Sequence, residues 1–379
     1  MSLPDQLDFG FEPAAPMPVP SRGTPKAPAR RTKTAAPTQV QPGVVPVLTP
    51  PPVASAAPAA SIAPVTPAAP VAPVASCANP MAPHEMAEQL AQHPDYRVLR
   101  RLQPRLVFPA AQGEVRTVVL LDTETTGLDA SRDRIIELAL LRVHLDLQTG
   151  QPCGEVQVYD GLEDPGVPIS AEIEALTGIS NAMVQGQALD ETRVAELMQG
   201  AHLVIAHNAG FDRPFVESRL PRFETLDWAC SFADIDWKSL GQSSAKLENL
   251  ALTHGWFYDA HRAEMDCHAL LAVLAQPLGV TAQTGLRALW AASQRTSYRL
   301  QATGAPFETK DLLKARGYRW QAEQRVWATR LKDDAELEAE CQWLKTTVYG
   351  GRAARVLVET LPARLKYSAR TAEAVQRAL

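Results

Sequence analysis

Val118-Val119-Leu120-Leu121-Asp122-Thr123-Glu124-Thr125-Thr126-Gly127-Leu128 runs an apolar segment into an Asp-x-Glu pair and then breaks it with glycine. Val115 to Asp122 has the character of a buried strand, so the two acids stand at its end. Side chains two apart on a strand share a face, and two like charges held on one face repel unless something cationic lies between them. A divalent metal is the cation that suits two carboxylates best.

Two later segments carry similar chemistry. His207-Asn208-Ala209-Gly210-Phe211-Asp212 follows a second apolar strand, 202–206, and puts Asp212 about one turn into a helix. His261-Arg262-Ala263-Glu264-Met265-Asp266 opens another helix, with His261 at its start and Asp266 about one turn inside. A hard dication needs oxygen ligands converging from several elements, and a site that leaves positions open for water and phosphate can hydrolyse a phosphodiester.

Asp-x-Glu-Thr-Thr-Gly, His-Asn-x-x-Phe-Asp and His-x-x-x-x-Asp, in this order, resemble the DnaQ-like (DEDDh) 3'-5' exonucleases, and among them the proofreading epsilon subunit of bacterial DNA polymerase III. The resemblance covers residues 115–275. It implies a ribonuclease H-like fold and two Mg²⁺ or Mn²⁺ ions held by Asp122, Glu124, Asp212 and Asp266, with His261 as the base that takes a proton from the attacking water. It also implies contacts to the last nucleotide from Thr125, Thr126, Leu128, Glu172, Thr177, Asn208 and Phe211, although Thr177 stands where the epsilon pattern has histidine. Glu137 is read as structural and Glu264 as solvated.

The rest of the chain divides by composition. Residues 1–95 hold 21 of the 31 prolines and are expected to form a disordered or extended Pro/Ala-rich arm, since frequent proline blocks both helix and ladder. Within this arm, Gln6 to Phe11 loosely resembles the peptides by which replication proteins dock on a sliding clamp, which would make the clamp or a DNA polymerase a partner. Residues 96–280 are expected to be the exonuclease domain, an α/β mixed sheet flanked by helices. Residues 296–379 are expected to be a small basic α+β module. It would contain a strand near Tyr298, a helix over 309–316, an aromatic hairpin over 317–327 and a helix over 335–347.

Charge follows the same partition. Residues 96–295 carry 17 Lys/Arg and 26 Asp/Glu, and residues 296–379 carry 15 and 10. An acidic domain that binds a polyanion needs metals to neutralise its site, while the basic end is either an attractor of phosphates or an ordinary solvated surface. Trp320, Trp327 and Trp343 are expected to be core residues of the module. Five cysteines without a Cys-x-x-Cys pair point away from a zinc site or a disulfide framework, and no apolar run approaches the length of a membrane span. The expected location is cytoplasmic. The function these features support is removal of nucleotides from a DNA 3' end, most simply a single-stranded one, in proofreading, repair or end trimming. An exoribonuclease and a non-catalytic docking platform for replication proteins are the alternatives.

Overall fold

The computed structural model describes residues 81–379, which belong to one compact unit. The Gln6 to Phe11 segment lies outside the described residues. Helix α1 (Pro83–Gln92) falls inside the stretch expected to be extended. Its sequence, PHEMAEQLAQ, keeps its one proline at the first helical position, where no N–H is needed, and Glu85 accepts a hydrogen bond from the Ala82 N–H at 3.3 Å.

Short strands β1 (Arg100–Arg101) and β2 (Val107–Phe108) lead into an antiparallel meander of β3 (Val115–Thr125), β4 (Ile135–Asp146) and β5 (Pro152–Leu162). Alternation then takes over: α2 (Ala171–Thr177), α3 (Asn181–Val184), α4 (Glu191–Met198), β6 (Leu203–Ala206), α5 (Ala209–Arg219), β7 (Trp228–Cys230), α6 (Ser231–Asp234), α7 (Leu247–Thr253), β8 (Trp256–Phe257), α8 (Ala263–Leu274) and α9 (Gly285–Ser293). The sheet order is β2-β5-β4-β3-β6-β7, with β6 parallel to β3 and β7 parallel to β6. This is the expected mixed α/β sheet flanked by helices, in keeping with the ribonuclease H-like fold that the family resemblance implies.

Strand β3 is apolar on both faces because both are covered. Val118 and Leu120 enter a core with Ala263, Cys267 and Leu270 of α8, whereas Val119 and Leu121 pack with Val194, Leu197, Phe215 and Val216 of α4 and α5. A strand buried on both sides reads as a continuous apolar run rather than an alternating one. Ser170 caps α2 by accepting from the Ile173 N–H at 3.3 Å, and Gly178 ends it at φ 71°, a left-handed turn that glycine adopts at little cost.

The C-terminal module is a five-stranded antiparallel sheet of β9 (Ser297–Ala302), β10 (Arg319–Gln321), β11 (Val326–Leu331), β12 (Arg355–Leu361) and β13 (Ala374–Ala378), in the order β10-β11-β9-β12-β13. It carries α10 (Lys310–Ala315) and α11 (Asp334–Trp343). The aromatic hairpin forms with Trp320 directly opposite Trp327. Trp327 and Trp343 pack against the module core, as expected, but Trp320 is 46% exposed at the edge strand and meets Trp327 edge-on at 5.6 Å between ring centres. Strands β12 and β13 have no counterpart in the sequence reading.

Between β12 and β13 the chain leaves its own sheet and docks on the first one. The Ala363 carbonyl accepts from the Trp228 N–H of β7 at 3.1 Å, and Lys366, only 4% exposed, donates from Nζ to the Ala292 carbonyl at 2.9 Å. The four described cysteines are free and buried. Among the described residues no helix is long and apolar enough to cross a membrane.

Candidate active site

The acids gather where β3, β6 and β7 end together. Asp122 and Glu124 extend the Val118/Leu120 face of β3, the face covered by α8, whose first turn supplies Asp266. One ligand oxygen from each of Asp122, Glu124 and Asp266 lies within 4.8 Å of the others. Glu124 is buried, while Asp122 and Asp266 keep a partial opening to solvent. The fourth acid, Asp212 at the start of α5, approaches from the other face of the strand. Its Oδ1 accepts from the Thr123 N–H at 3.2 Å and from Thr123 Oγ1 at 2.9 Å. Asp212 therefore stands beside the trio with one oxygen already engaged.

This arrangement is electrostatically unfavourable by itself. Burial, then repulsion from Asp212, Asp266, Glu124 and Glu137, pushes the Asp122 carboxyl well above the usual carboxylate range. Burial and the charge of Asp266 push Glu124 up to about 9. Asp212 is pushed up to about 7 by burial, against the lowering effect of its bonds from Thr123, and Asp266 to about 6 by burial, against its bonds from Tyr258 and His261. Each folded-state value lies above the unfolded one, so the native chain binds more protons than the unfolded chain from about pH 4 to about pH 9. Without a cation, stability is greatest on the acid side of this window and falls as pH rises through it. A bound divalent cation would remove that penalty. Oxygen donors converging at close range, mutually destabilised and partly open, fit a hard dication.

The motif that contributes Asp266 is fixed by its own backbone. Asp266 Oδ2 accepts from the N–H groups of His261 at 2.8 Å and Arg262 at 3.3 Å, and Oδ1 accepts from the Tyr258 hydroxyl at 2.8 Å. His261 takes φ 64°, which holds the segment in a tight turn ahead of α8, and its imidazole makes no hydrogen bond to a described residue. Glu137 anchors the same turn from β4. Fully buried and directly opposite Glu124, it accepts from Arg262 Nη2 at 2.7 Å, Arg262 Nε at 3.1 Å and the Ala263 N–H at 2.9 Å. It ties the start of α8 to the sheet, in keeping with its structural reading. Glu264 is partly exposed and reaches His268 at 3.4 Å rather than the acids.

The residues expected to touch a nucleotide are less uniform. Thr125 is buried and donates to the Gly127 carbonyl at 2.6 Å, and Thr126 Oγ1 accepts from the Arg134 N–H at 3.0 Å. Gly127 is needed because a Cβ there would fall 2.6 Å from the Asp133 carboxylate, which itself accepts from the Asp129 N–H. Beyond it Leu128 projects 61% exposed at the end of the acid-bearing strand. Asn208, at φ 70°, and the partly buried Phe211 begin α5, and Glu172 is exposed on α2. Thr177 is 4% exposed, and its hydroxyl donates to the Ile173 carbonyl and accepts from the Ile179 N–H, so both functions serve its own helix end.

Two residues near the acids escaped the sequence reading. Tyr258 lies eight positions before Asp266, where an aromatic residue reads as core. His207 belongs to the quoted motif, but nothing in its spacing shows that Nδ1 pairs with Ser231 Oγ at 2.7 Å while burial pushes the ring down to about 4 and keeps it neutral.

Residues 119–274 match the family model described as Exonuclease (RNase T). This stretch is similar to the DnaQ-like exonucleases. The chain is 33% identical over 157 residues to the PolC-type DNA polymerase III of Thermotoga maritima, covering 41% of this chain and 10% of that protein. It is 38% identical over 106 residues to that of Bacillus subtilis, covering 27% and 7%. The chain thus spans about a tenth or less of the length of the curated relatives it matches. Among solved structures, the chain is similar to exonuclease X in complex with 5' overhanging duplex DNA, at 23% identity over 45% of this chain and 99% of that one, with a TM-score of 0.31. It is also similar to Escherichia coli exonuclease I in complex with a dA16 oligonucleotide, at 16% identity over 50% and 48%, with a TM-score of 0.35.

Proposed function

We propose that the chain is a metal-dependent 3'-5' exodeoxyribonuclease that releases nucleoside 5'-monophosphates from a DNA end, single-stranded or frayed. The observation that carries this reading is the convergence of Asp122, Glu124 and Asp266 within 4.8 Å, at a strand end beside His261. Asp122, Glu124 and Asp266 would hold Mg²⁺ or Mn²⁺, two ions in all, with Asp212 flanking them through its free oxygen. Such ions, when bound, supply Lewis-acid stabilisation of the charge that gathers on the phosphate and the departing 3' oxygen.

The chain's own groups do the rest. The His261 imidazole accepts a proton from the attacking water as the water oxygen bonds to phosphorus; the P–O3' bond breaks, and the 3' oxygen leaves with the electron pair and is then protonated. Asp266 holds the turn that presents His261, and Glu137 with Arg262 keeps that turn on the sheet. Leu128 offers an apolar surface to the terminal base, with Thr125, Thr126, Asn208 and Phe211 shaping the cleft around it and Glu172 at its rim. Role in proofreading, repair or trimming, and pairing with a polymerase, belong to the same reading.

Digestion of a DNA strand labelled at either end tests it. The expected result in Mg²⁺ is early release of a labelled mononucleotide from the 3'-labelled strand, a ladder of shortening products from the 5'-labelled one, and slower attack on matched RNA. Internal cuts, release from the 5' end, or preference for RNA would each refute the corresponding part.

A further inference from the structure

Helices α10 and α11 cover one face of the module's sheet, while the other carries exposed arginines beside the buried Ala328, Gln301 and Glu359. Leu300, Ala302, Leu331, Val356 and Val358 point toward α10 and α11 and form the module core with Leu313, Leu337 and Cys341. Directly paired residues of an antiparallel sheet share a face, so the register fixes what the other side carries. Arg319 pairs with Ala328, Ala328 with Gln301 and Gln301 with Leu357; Arg330 pairs with Arg299, and Arg299 with Glu359; Arg355 lies two residues from Leu357. Four neighbouring strands, β10, β11, β9 and β12, thus each place one arginine on the face that no described helix covers.

Charge is segregated between the two faces. Five of the ten acids of residues 296–379 lie at 333–340, in or just before α11, on the covered side. On the arginine face the strands carry one acid, Glu359, which is occupied by Arg299 at 3.6 Å and by Gln301 Nε2 at 2.6 Å. Arg319, Arg330 and Arg355 are exposed and make no ion pair with a described residue. This face also reaches the acid-bearing edge of the first sheet. The Arg330 guanidinium lies over the Tyr367 ring at 5.4 Å, and Tyr367 donates to Asp234 at 2.7 Å. Asp234 accepts from the Cys230 N–H, and the neighbouring Ser231 pairs with His207, which precedes the Asp212 helix.

We infer that the arginine face is a track for the phosphodiester backbone of a single-stranded nucleic acid whose 3' end lies at the acids. This rests on the exonuclease reading for the position of the terminus. Guanidinium groups bind phosphate oxygens in pairs of parallel hydrogen bonds, and a row of them on a rigid sheet tracks a backbone without reading its sequence. The acidic exonuclease domain would gain in this way the attraction to a polyanion that its own surface does not provide.

The test is binding of a fluorescent thirty-residue oligothymidylate, followed by anisotropy over a range of salt concentrations in EDTA, so that it does not depend on catalysis. Arg319→Gln/Arg330→Gln/Arg355→Gln should bind at least about tenfold more weakly at 0.1 M salt, and its slope of log affinity against log salt should be shallower by about 2, near 0.7 per lost contact. Arg319→Gln/Arg355→Gln, which leaves the Tyr367 contact intact, should lose about 1.4. Hydrolysis of the 4-nitrophenyl ester of thymidine 5'-monophosphate, too short to reach the sheet, should stay within about twofold in both variants. Unchanged slopes would overturn the track. An intact chain that binds the oligonucleotide through these arginines yet hydrolyses neither DNA nor the ester would leave the track standing and remove the exonuclease reading.

Discussion

Asp122→Ala should lower Mg²⁺-dependent release of mononucleotides by at least about a thousandfold and leave the melting temperature unchanged or raised. Asp122 is the acid on which the others converge: Asp212, Asp266, Glu124 and Glu137 all raise its affinity for a proton, after burial itself. Removing it would take away a ligand shared by the metal site, and several kcal/mol of charge stabilisation corresponds to roughly three decades of rate at about 1.4 kcal/mol per decade. The same deletion relieves the four neighbouring carboxylates of a buried like charge, so the cost in stability is small or negative. Initial rates on 3'-labelled DNA and thermal melts in EDTA check both halves. Activity within tenfold of the intact chain would remove Asp122 from the chemistry, and a large fall in melting temperature would show that its role is structural.

Arg213→Ala should destabilise the fold by about 3–5 kcal/mol, the usual cost of removing one member of a buried charge pair. Arg213 is fully buried next to Asp212 in sequence and points away from the site, over the Trp228 ring at 5.1 Å. Its guanidinium donates to Glu217 Oε1 at 2.7 Å and to the carbonyls of Ala363, Arg364 and Lys366 at 3.3, 2.6 and 2.5 Å. Alanine would strand the Lys366 carbonyl, leave the Ala363 and Arg364 carbonyls to the Trp228 N–H and Arg370 Nη2 alone, and open a void under the segment joining β12 to β13. Glu217 would keep Ser368 Oγ at 2.6 Å and Arg370 at 3.1 Å, which limits the loss. Denaturant unfolding measures it; a change under about 1 kcal/mol would mean that the segment docks without this residue. Because α5 carries both Arg213 and Asp212, any variant that remains folded should also be a poorer nuclease.

The acid-bearing end of β3 was legible because its features are local. An apolar run, a period-2 acid pair and a glycine break lie within eleven residues. The position of Asp266 was legible in the same way, one turn into a helix. Contacts made by backbone carbonyls were not. Ala363, Arg364 and Lys366 hold Arg213 through groups that every residue type possesses, across about 150 positions, so no composition or spacing marks them. Tyr258 was passed over because an aromatic residue is normally core and its hydroxyl partner emerges only when α8 is placed. Strands β12 and β13 pair with each other and join the sheet only where β12 meets β9, a pairing of distant segments that periodicity cannot predict. The arginine face depends on this same register: in sequence Arg299, Arg319, Arg330 and Arg355 are scattered, and the antiparallel pairing alone brings them together.

The buried acids repel one another until a cation joins them, and thermal melts from pH 5 to pH 9, in EDTA and in Mg²⁺ or Mn²⁺, report that repulsion. In EDTA the melting temperature should fall as pH rises through the range set by Asp266 at about 6, Asp212 at about 7 and Glu124 at about 9. The cation should restore it, most strongly at the alkaline end, and Asp122→Asn/Glu124→Gln should abolish the restoration. A melting temperature indifferent to the cation at every pH, or raised equally in the intact chain and the variant, would contradict a metal site at these residues.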